Sequence, residues 1–227
     1  MCGRYITGEL SWAEIHDLLS MPLHLEVEPR ARFNVAPATP VPVLRPGSAT
    51  GGAADEVHLA ELRWGVQPDW ARSLLINAQA EKWLGGGRSY WKSGWQRCIL
   101  PAWGYYEWKK VPGQKKKQPM ALHDPDGIPL AMAGLWRPWD GEEELGAVAV
   151  ILTTAPGADI AEIHDRMPAL LPWSEAGAWL DPQRSRDEAG ALLGPREGLE
   201  AYPVDARVGR VAEDDEKLIQ PLQGALS

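Results

Sequence analysis

Hydrophobic and polar positions follow a strand-like pattern through the middle of the chain. RCILPAW, GYYEWKK, QPMALHD and PLAMAGLW each alternate or run apolar for the length of a strand. They are separated by the turn compositions Val111-Pro112-Gly113-Gln114 and Asp124-Pro125-Asp126-Gly127. AVAVILTTA (147–155) is β-branched and almost unbroken, as in a strand buried on both faces. LAELRWGV (59–66) and LEAYPV (199–204) predict two more strands, and the proline-marked run NVAPATPVPVLRP predicts an extended segment feeding another. Helical periodicity is weaker. Ser11 and Glu14 form a capping box ahead of Ile15, Leu18 and Leu19 on one face, which predicts a helix at about 11–20. Short helices are expected at 77–84, 88–96, 158–164, 174–180 and 185–193, with Gly85-Gly86-Gly87 breaking the first pair, and a surface loop at 47–54. Strands and short helices interleave without a regular βαβ beat. The expected fold class is therefore α+β: one domain over 1–227 with a mainly antiparallel, barrel-like β core and short peripheral helices.

Composition narrows this picture. The chain has 227 residues, 44% hydrophobic and 24% charged, which is enough to bury a core and too apolar for wholesale disorder. Its 2 cysteines cannot build a disulfide framework, and Cys98, inside CILPAW, reads as a buried structural thiol. No leader pattern and no long apolar run is visible, so the expected location is cytoplasmic, with no membrane partner. A net charge of −8 argues against a long-range electrostatic grip on nucleic acid. It leaves room for a local basic patch, because Lys109-Lys110 and Lys115-Lys116-Lys117 lie close together, while 140–144 and 213–216 are acid-rich and read as solubility features. The 12 tryptophans beside 1 phenylalanine suit stacking better than filling.

Four stretches carry candidate chemistry. The first is MCGRY. Removal of Met1 would leave Cys2 with an α-amine and a thiol on one residue. An α-amine titrates at about 7.7–8.0, so much of it is neutral in the cytosol and able to attack an aldehyde. The neighbouring thiol could close the resulting imine into a thiazolidine, or serve an amidohydrolase as nucleophile. The second is Asn77 in LINAQAE, either a helix cap or an amide that orients a reacting group. The third is Glu107 in GYYEWKK, either an outward glutamate paired with Lys109 or a carboxyl in an apolar setting suited to acid–base work. The fourth is His164 in IHDRMP, either a helix-end histidine or a proton carrier whose tautomer its neighbours Asp165 and Arg166 fix. No Cys/His spacing fits zinc and no phosphate-loop motif is present, so neither a metal nor a cofactor is expected.

Taken together these stretches resemble the SRAP family, the SOS response-associated peptidases or abasic-site-processing proteins. MCGRY, RFNVAP (32–37), RWG (63–65), INA (76–78), GYYEWKK, IHDRMP and LIQP (218–221) carry the likeness in order along almost the whole chain. The resemblance implies an α+β domain around a barrel-like core, acting on abasic sites in single-stranded DNA. It implies that Cys2, after loss of Met1, forms a thiazolidine cross-link to the ring-opened sugar aldehyde, and that Met1 is removed autoproteolytically. Asn77 would hold the reacting groups, Glu107 would act as acid–base, and His164 would assist proton transfer and reversal. Arg4, Asn34 and Arg166 would be candidates for phosphate or backbone positioning and Trp70 for stacking on a base, with Arg4, Lys109, Lys110 and Arg166 forming a local cationic groove for the strand. The implied protein is a monomer, associated with the nucleoid when on DNA. Two positions depart from the family: Gln79 replaces an arginine after INA, and Ala71 replaces an aromatic beside Trp70, removing a phosphate contact and a stacking platform. A trans-acting peptidase or amidohydrolase, or a non-covalent single-strand-binding module, are the alternative readings.

Overall fold

A computed structural model describes residues 2–47, 56–139 and 146–222. Its elements in chain order begin with β1 (Arg4–Ile6), α1 (Trp12–Leu19), β2 (Leu23–Leu25), β3 (Pro40–Pro46), β4 (Val57–Trp64), β5 (Asn77–Gln79) and α2 (Ala80–Leu84). The central strands are β6 (Gln96–Ala102), β7 (Gly104–Lys109), β8 (Gln118–His123), β9 (Leu130–Pro138) and β10 (Ala147–Thr154). The chain then forms β11 (Met167–Pro168), β12 (Leu170–Leu171), α3 (Ala176–Leu180), α4 (Arg186–Gly190) and β13 (Glu200–Pro203).

The strands β10, β4, β3, β6 and β9 pair in that order, and β9 pairs back onto β10, so the sheet closes into a barrel. All these pairings are antiparallel except β4 with β10. Alternation fixes the two faces. Val41, Val43, Leu62, Trp64, Cys98, Leu100, Met132, Ala149 and Ile151 share the inner cluster. Their neighbours Leu44, Leu59, Ile99, Ala133, Val148 and Val150 face outward, under a layer that includes Ile15 and Leu19 of α1 and Trp83, Trp173 and Trp179. At Gly134 on β9 a Cβ would stand 2.4 Å from the Leu100 side chain and 2.8 Å from the Val150 carbonyl. A glycine is needed there for the strands to approach.

A second, smaller sheet runs β1-β7-β8-β13. It presents one face to the barrel: Tyr5, Tyr105, Met120 and Leu122 join the barrel's inner cluster, with Cys2 among them. Its other face carries Ile6, Tyr106 and Ala121 against Val204, Val208 and Leu218.

The expected helix at 11–20 and the expected strands are present, and the short helices are where the pattern misleads. Asn77 does not cap a helix; it begins β5, pairing in parallel with β10 (Ile151 with Asn77, Thr153 with Gln79), and only Ala80–Leu84 is helical. Backbone pairing outweighs a local capping preference here. The 88–96 segment holds a single 3₁₀ turn, Tyr90–Lys92, before β6 begins. Residues 158–164 form hydrogen-bonded turns anchored on the Gly157 and Ile160 carbonyls rather than a helix. At 174–180 and 185–193 the helices are shorter, α3 following a 3₁₀ turn at Trp173–Glu175 and α4 ending at Gly190. Apart from Gly47, the expected loop at 47–54 lies outside the described residues, as does the acidic run at 140–144. Among the described residues no helix is long and apolar enough to cross a membrane.

Candidate active site

The two sheets meet at the start of the chain. β1 pairs with β7 through Arg4–Tyr106, Tyr5–Tyr105 and Ile6–Gly104. Continuing that register backwards sets Gly3 opposite Glu107, so Cys2 enters the core at the level of this carboxyl. Cys2 is 0% exposed. Its thiol donates a weak hydrogen bond to the Arg4 carbonyl at 3.6 Å. Burial, and then the negative charge of Glu107, push its ionisation far above the usual thiol range, against a smaller opposing pull from the chain's amino terminus. The thiol therefore rests protonated and needs a base to react.

A carboxyl whose charge acts on the Cys2 thiol is Glu107. Glu107 lies on β7 two residues from Tyr105, on the same inward face, and is 2% exposed. Burial raises its pKa, partly offset by the amino terminus and by His164. A carboxyl so shifted can hold or release a proton nearer neutrality than an exposed one. The alternative pairing with Lys109 is not made: the Lys109 ammonium lies 3.7 Å from Glu162 instead.

His164 stands at the mouth of the site, its Nε2 3.9 Å from the Glu107 carboxylate. Its Nδ1 accepts the Arg166 backbone N–H at 3.1 Å, so the neutral ring in this arrangement carries its proton on Nε2, facing Glu107. Asp165 lies 2.9 Å from the same Nδ1 and is placed to receive a proton-bearing Nδ1 when the ring is charged. Asn77, delivered by β5, donates from Nδ2 to the Cys2 carbonyl at 2.9 Å. Its Oδ1 is buried and has no hydrogen-bond partner among the described residues.

The structure thus brings Cys2, Asn77, Glu107 and His164 together, and it distributes the expected phosphate ligands less evenly. Arg4 donates to Asn34 Oδ1 at 2.8 Å and to the carbonyls of Val208 and Gly209 at 3.2 and 3.4 Å. Asn34 is 0% exposed, so it acts on Arg4 and the C-terminal segment rather than on a bound polymer. Arg166 forms a bidentate pair with Glu81, both bonds 2.9 Å, and also reaches the Thr153 carbonyl. Lys110 is exposed, and Trp70 is 64% exposed with its ring 5.2 Å from Tyr90. Gln79 ends β5, and Ala71 follows the exposed Trp70.

Sequence reasoning missed Glu81, Thr153, Tyr5 and Tyr105. Tyr105 could have been found from the period of β7, which puts it on the Glu107 face. Its hydroxyl is buried without a partner among the described residues, and burial and then the charges of Cys2, Glu107 and Asp159 hold it well above the usual phenol range. Glu81 and Thr153 carry no signal in one dimension; α2 and β10 bring them to Arg166.

With this geometry in place, the chain's relatives can be set beside it. Residues 1–211 match the family model for SOS response associated peptidase (SRAP), and the chain belongs to that family. It is 32% identical to the abasic site processing protein YedK of Escherichia coli (strain K12), over 98% of this chain and 100% of the relative. The abasic site processing protein YoqW of Bacillus subtilis (strain 168) is also 32% identical, over 97% and 99%. The chicken (Gallus gallus) abasic site processing protein HMCES is 29% identical over 86% of this chain and 67% of its own. Among solved structures, a Bacteroides thetaiotaomicron protein shares the fold with a TM-score of 0.76 at 23% identity, covering 97% of this chain and 100% of that one. A phage-related protein of Bordetella bronchiseptica gives 0.70 at 29%, covering 89% and 94%.

Proposed function

We propose that this protein caps abasic sites in single-stranded DNA by a covalent thiazolidine link through Cys2. The observation that carries the reading is the convergence of a buried aminothiol residue with a desolvated carboxyl, a histidine and an amide on one small-sheet edge. Loss of Met1, by the protein's own peptidase activity, exposes the Cys2 amine. The neutral amine attacks the aldehyde carbon of the ring-opened sugar, and the carbinolamine loses water to give an iminium. Glu107, as the acid, gives the departing hydroxyl its proton. As the base, it then takes the proton from Sγ. The sulfur lone pair attacks the iminium carbon, the C=N electron pair settles on nitrogen, and the thiazolidine closes. Amine, thiol and carboxyl suffice for every step, so the reaction calls on no metal or cofactor.

His164 supports the cycle by presenting Nε2 to Glu107, holding or returning its proton. Asn77 fixes the Cys2 carbonyl and so the direction in which the amine points. Trp70 offers a face to a neighbouring base, and Lys109 and Lys110 take phosphates. Arg4, braced by Asn34, orders the strand edge that leads into Cys2, and Arg166 holds the His164 loop through its backbone. The protein works as a monomer, in the cytoplasm and on nucleoid DNA.

The test is a denaturing gel. The processed protein incubated with a single strand bearing one abasic site is expected to give a slow-migrating species that is absent with Cys2→Ala. Failure of the wild-type protein to shift the strand overturns the reading. Turnover of peptides without any DNA adduct favours a trans-acting peptidase, and undiminished, lesion-indifferent binding by Cys2→Ala favours a non-covalent module.

A further inference from the structure

β7 does not end its work at Glu107. It continues through Lys109 and Lys110 into the turn that leads to β8, and this hairpin carries Lys115, Lys116 and Lys117. From Trp108 to His123 the chain has no acidic residue. Lys110 and Lys115 to Lys117 are exposed. Among the described residues they form no ion pair, whereas Lys109 lies 3.7 Å from Glu162. Lys110, Val111, Pro112 and the lysine triplet line an open cleft of about 410 Å³, with a floor partly apolar and a rim cationic.

The rest of the molecule makes this surface matter. The chain carries −8 overall, which repels a polyanion approaching Cys2. Two arginines near the site are already engaged, Arg4 with Asn34 and backbone carbonyls, and Arg166 with Glu81 and Thr153. The hairpin supplies positive charge on the same strand that supplies Glu107. A strand rises about 3.4 Å per residue, so the lysines stand about 10–20 Å from that carboxyl along the hairpin. Phosphates repeat about every 3.4 Å along one stacked strand, which makes this distance about three to six nucleotides.

We propose that the lysine-tipped β7–β8 hairpin is a second DNA contact, holding the phosphates that flank the lesion about three to six nucleotides away. This rests on the abasic-site reading for its polyanion and extends it to sequence-independent capture of undamaged flank. Each phosphate neutralised on a single strand adds about 0.7 to the slope of log affinity against log salt.

The test compares wild type with the triple variant K115Q, K116Q, K117Q by fluorescence anisotropy on strands of about 20 nucleotides and of about 4, each with an unreactive, reduced abasic sugar at its centre to seat it at Cys2, across a salt series. The variant is expected to bind the long strand more weakly, with a salt slope smaller by about 2 in magnitude, and the short strand as wild type does. Its adduct yield on a short lesion-bearing strand at saturation is expected to match wild type. An unchanged slope on the long strand overturns the proposal and leaves the lysines to another partner, such as an acidic protein. An equal loss on the short strand overturns it too, since the effect then lies at the site and not in the flank. Absence of any wild-type adduct would refute the covalent function while leaving the slope comparison readable.

Discussion

Two buried polar clusters lie on either side of β1, and they are finished differently. On one side, the Asn34 amide nitrogen lies within bonding distance of the Val208, Arg210 and Glu213 carbonyls, and its oxygen accepts from Arg4. Asp214 receives the backbone N–H groups of Phe33 and Asn34. Every arm of that amide is satisfied, and the result is a clamp that ties the C-terminal segment to the small sheet. On the other side, around Cys2, the Asn77 oxygen and the Tyr5 and Tyr105 hydroxyls are buried without partners among the described residues. Unpaired buried polar groups cost about 1–3 kcal/mol each, and folded proteins rarely keep them without a use. The first cluster is complete within the fold. The second leaves acceptors and donors open among the described residues, which is what the proposed reading needs.

The sharpest break between the clusters is a pair of alanine substitutions. Cys2→Ala is expected to abolish the DNA adduct completely while changing unfolding by only about 1 kcal/mol, the cost of a small cavity. Asn34→Ala is expected to cost about 3 kcal/mol by denaturant unfolding, because several buried backbone groups and Arg4 lose their partner. The variant that stays folded should still form adduct. If Asn34→Ala were neutral in stability, or Cys2→Ala strongly unfolding, the division of labour between the clusters would be wrong.

Glu107→Gln should slow adduct formation about 100-fold, the usual scale for losing a positioned acid–base group. It also carries a stability signature. Burial raises the folded-state pKa of Glu107 above its unfolded value. Between those two values the native state holds the extra proton, so wild-type stability falls as pH rises through that window. A neutral glutamine removes this slope, so the variant should gain on wild type from acid to neutral pH. Parallel stability–pH curves would mean that burial leaves the Glu107 carboxyl unshifted, against the acid–base role. The smallest effect belongs to Tyr105→Phe, which deletes a hydroxyl with no partner among the described residues and is expected to raise stability by about 1 kcal/mol in thermal unfolding. A loss of similar size would mean that the hydroxyl is already satisfied.

Much of this was readable in one dimension. The strand pattern from RCILPAW to AVAVILTTA and the helix at Ser11 rest on period and caps, which are local, and they appear where the pattern sets them. Taken singly, MCGRY, Glu107 and His164 are candidates with structural alternatives, and it is the family resemblance that joins them into one site. The closure of the barrel by β9 on β10 was not legible, since pairing across distant strands leaves no local trace. Asn77 shows the limit well. As a helix cap it was a sensible local reading, yet a parallel partner on β10 makes it a strand residue and turns its amide onto Cys2. The family resemblance assigns Asn34 and Arg166 to phosphate or backbone positioning, and only the fold shows the Asn34 amide bound to Arg4 and the C-terminal segment and the two terminal nitrogens of Arg166 bound to Glu81 and Thr153.

The most direct measurement is the intact mass of the species formed with a single abasic-site strand. The expected mass is that of the chain without Met1 plus the strand, less one water, and Cys2→Ala should give only the two unreacted masses. An adduct that retains Met1, or one formed by Cys2→Ala, would contradict the assignment of the Cys2 amine and thiol as the reacting pair.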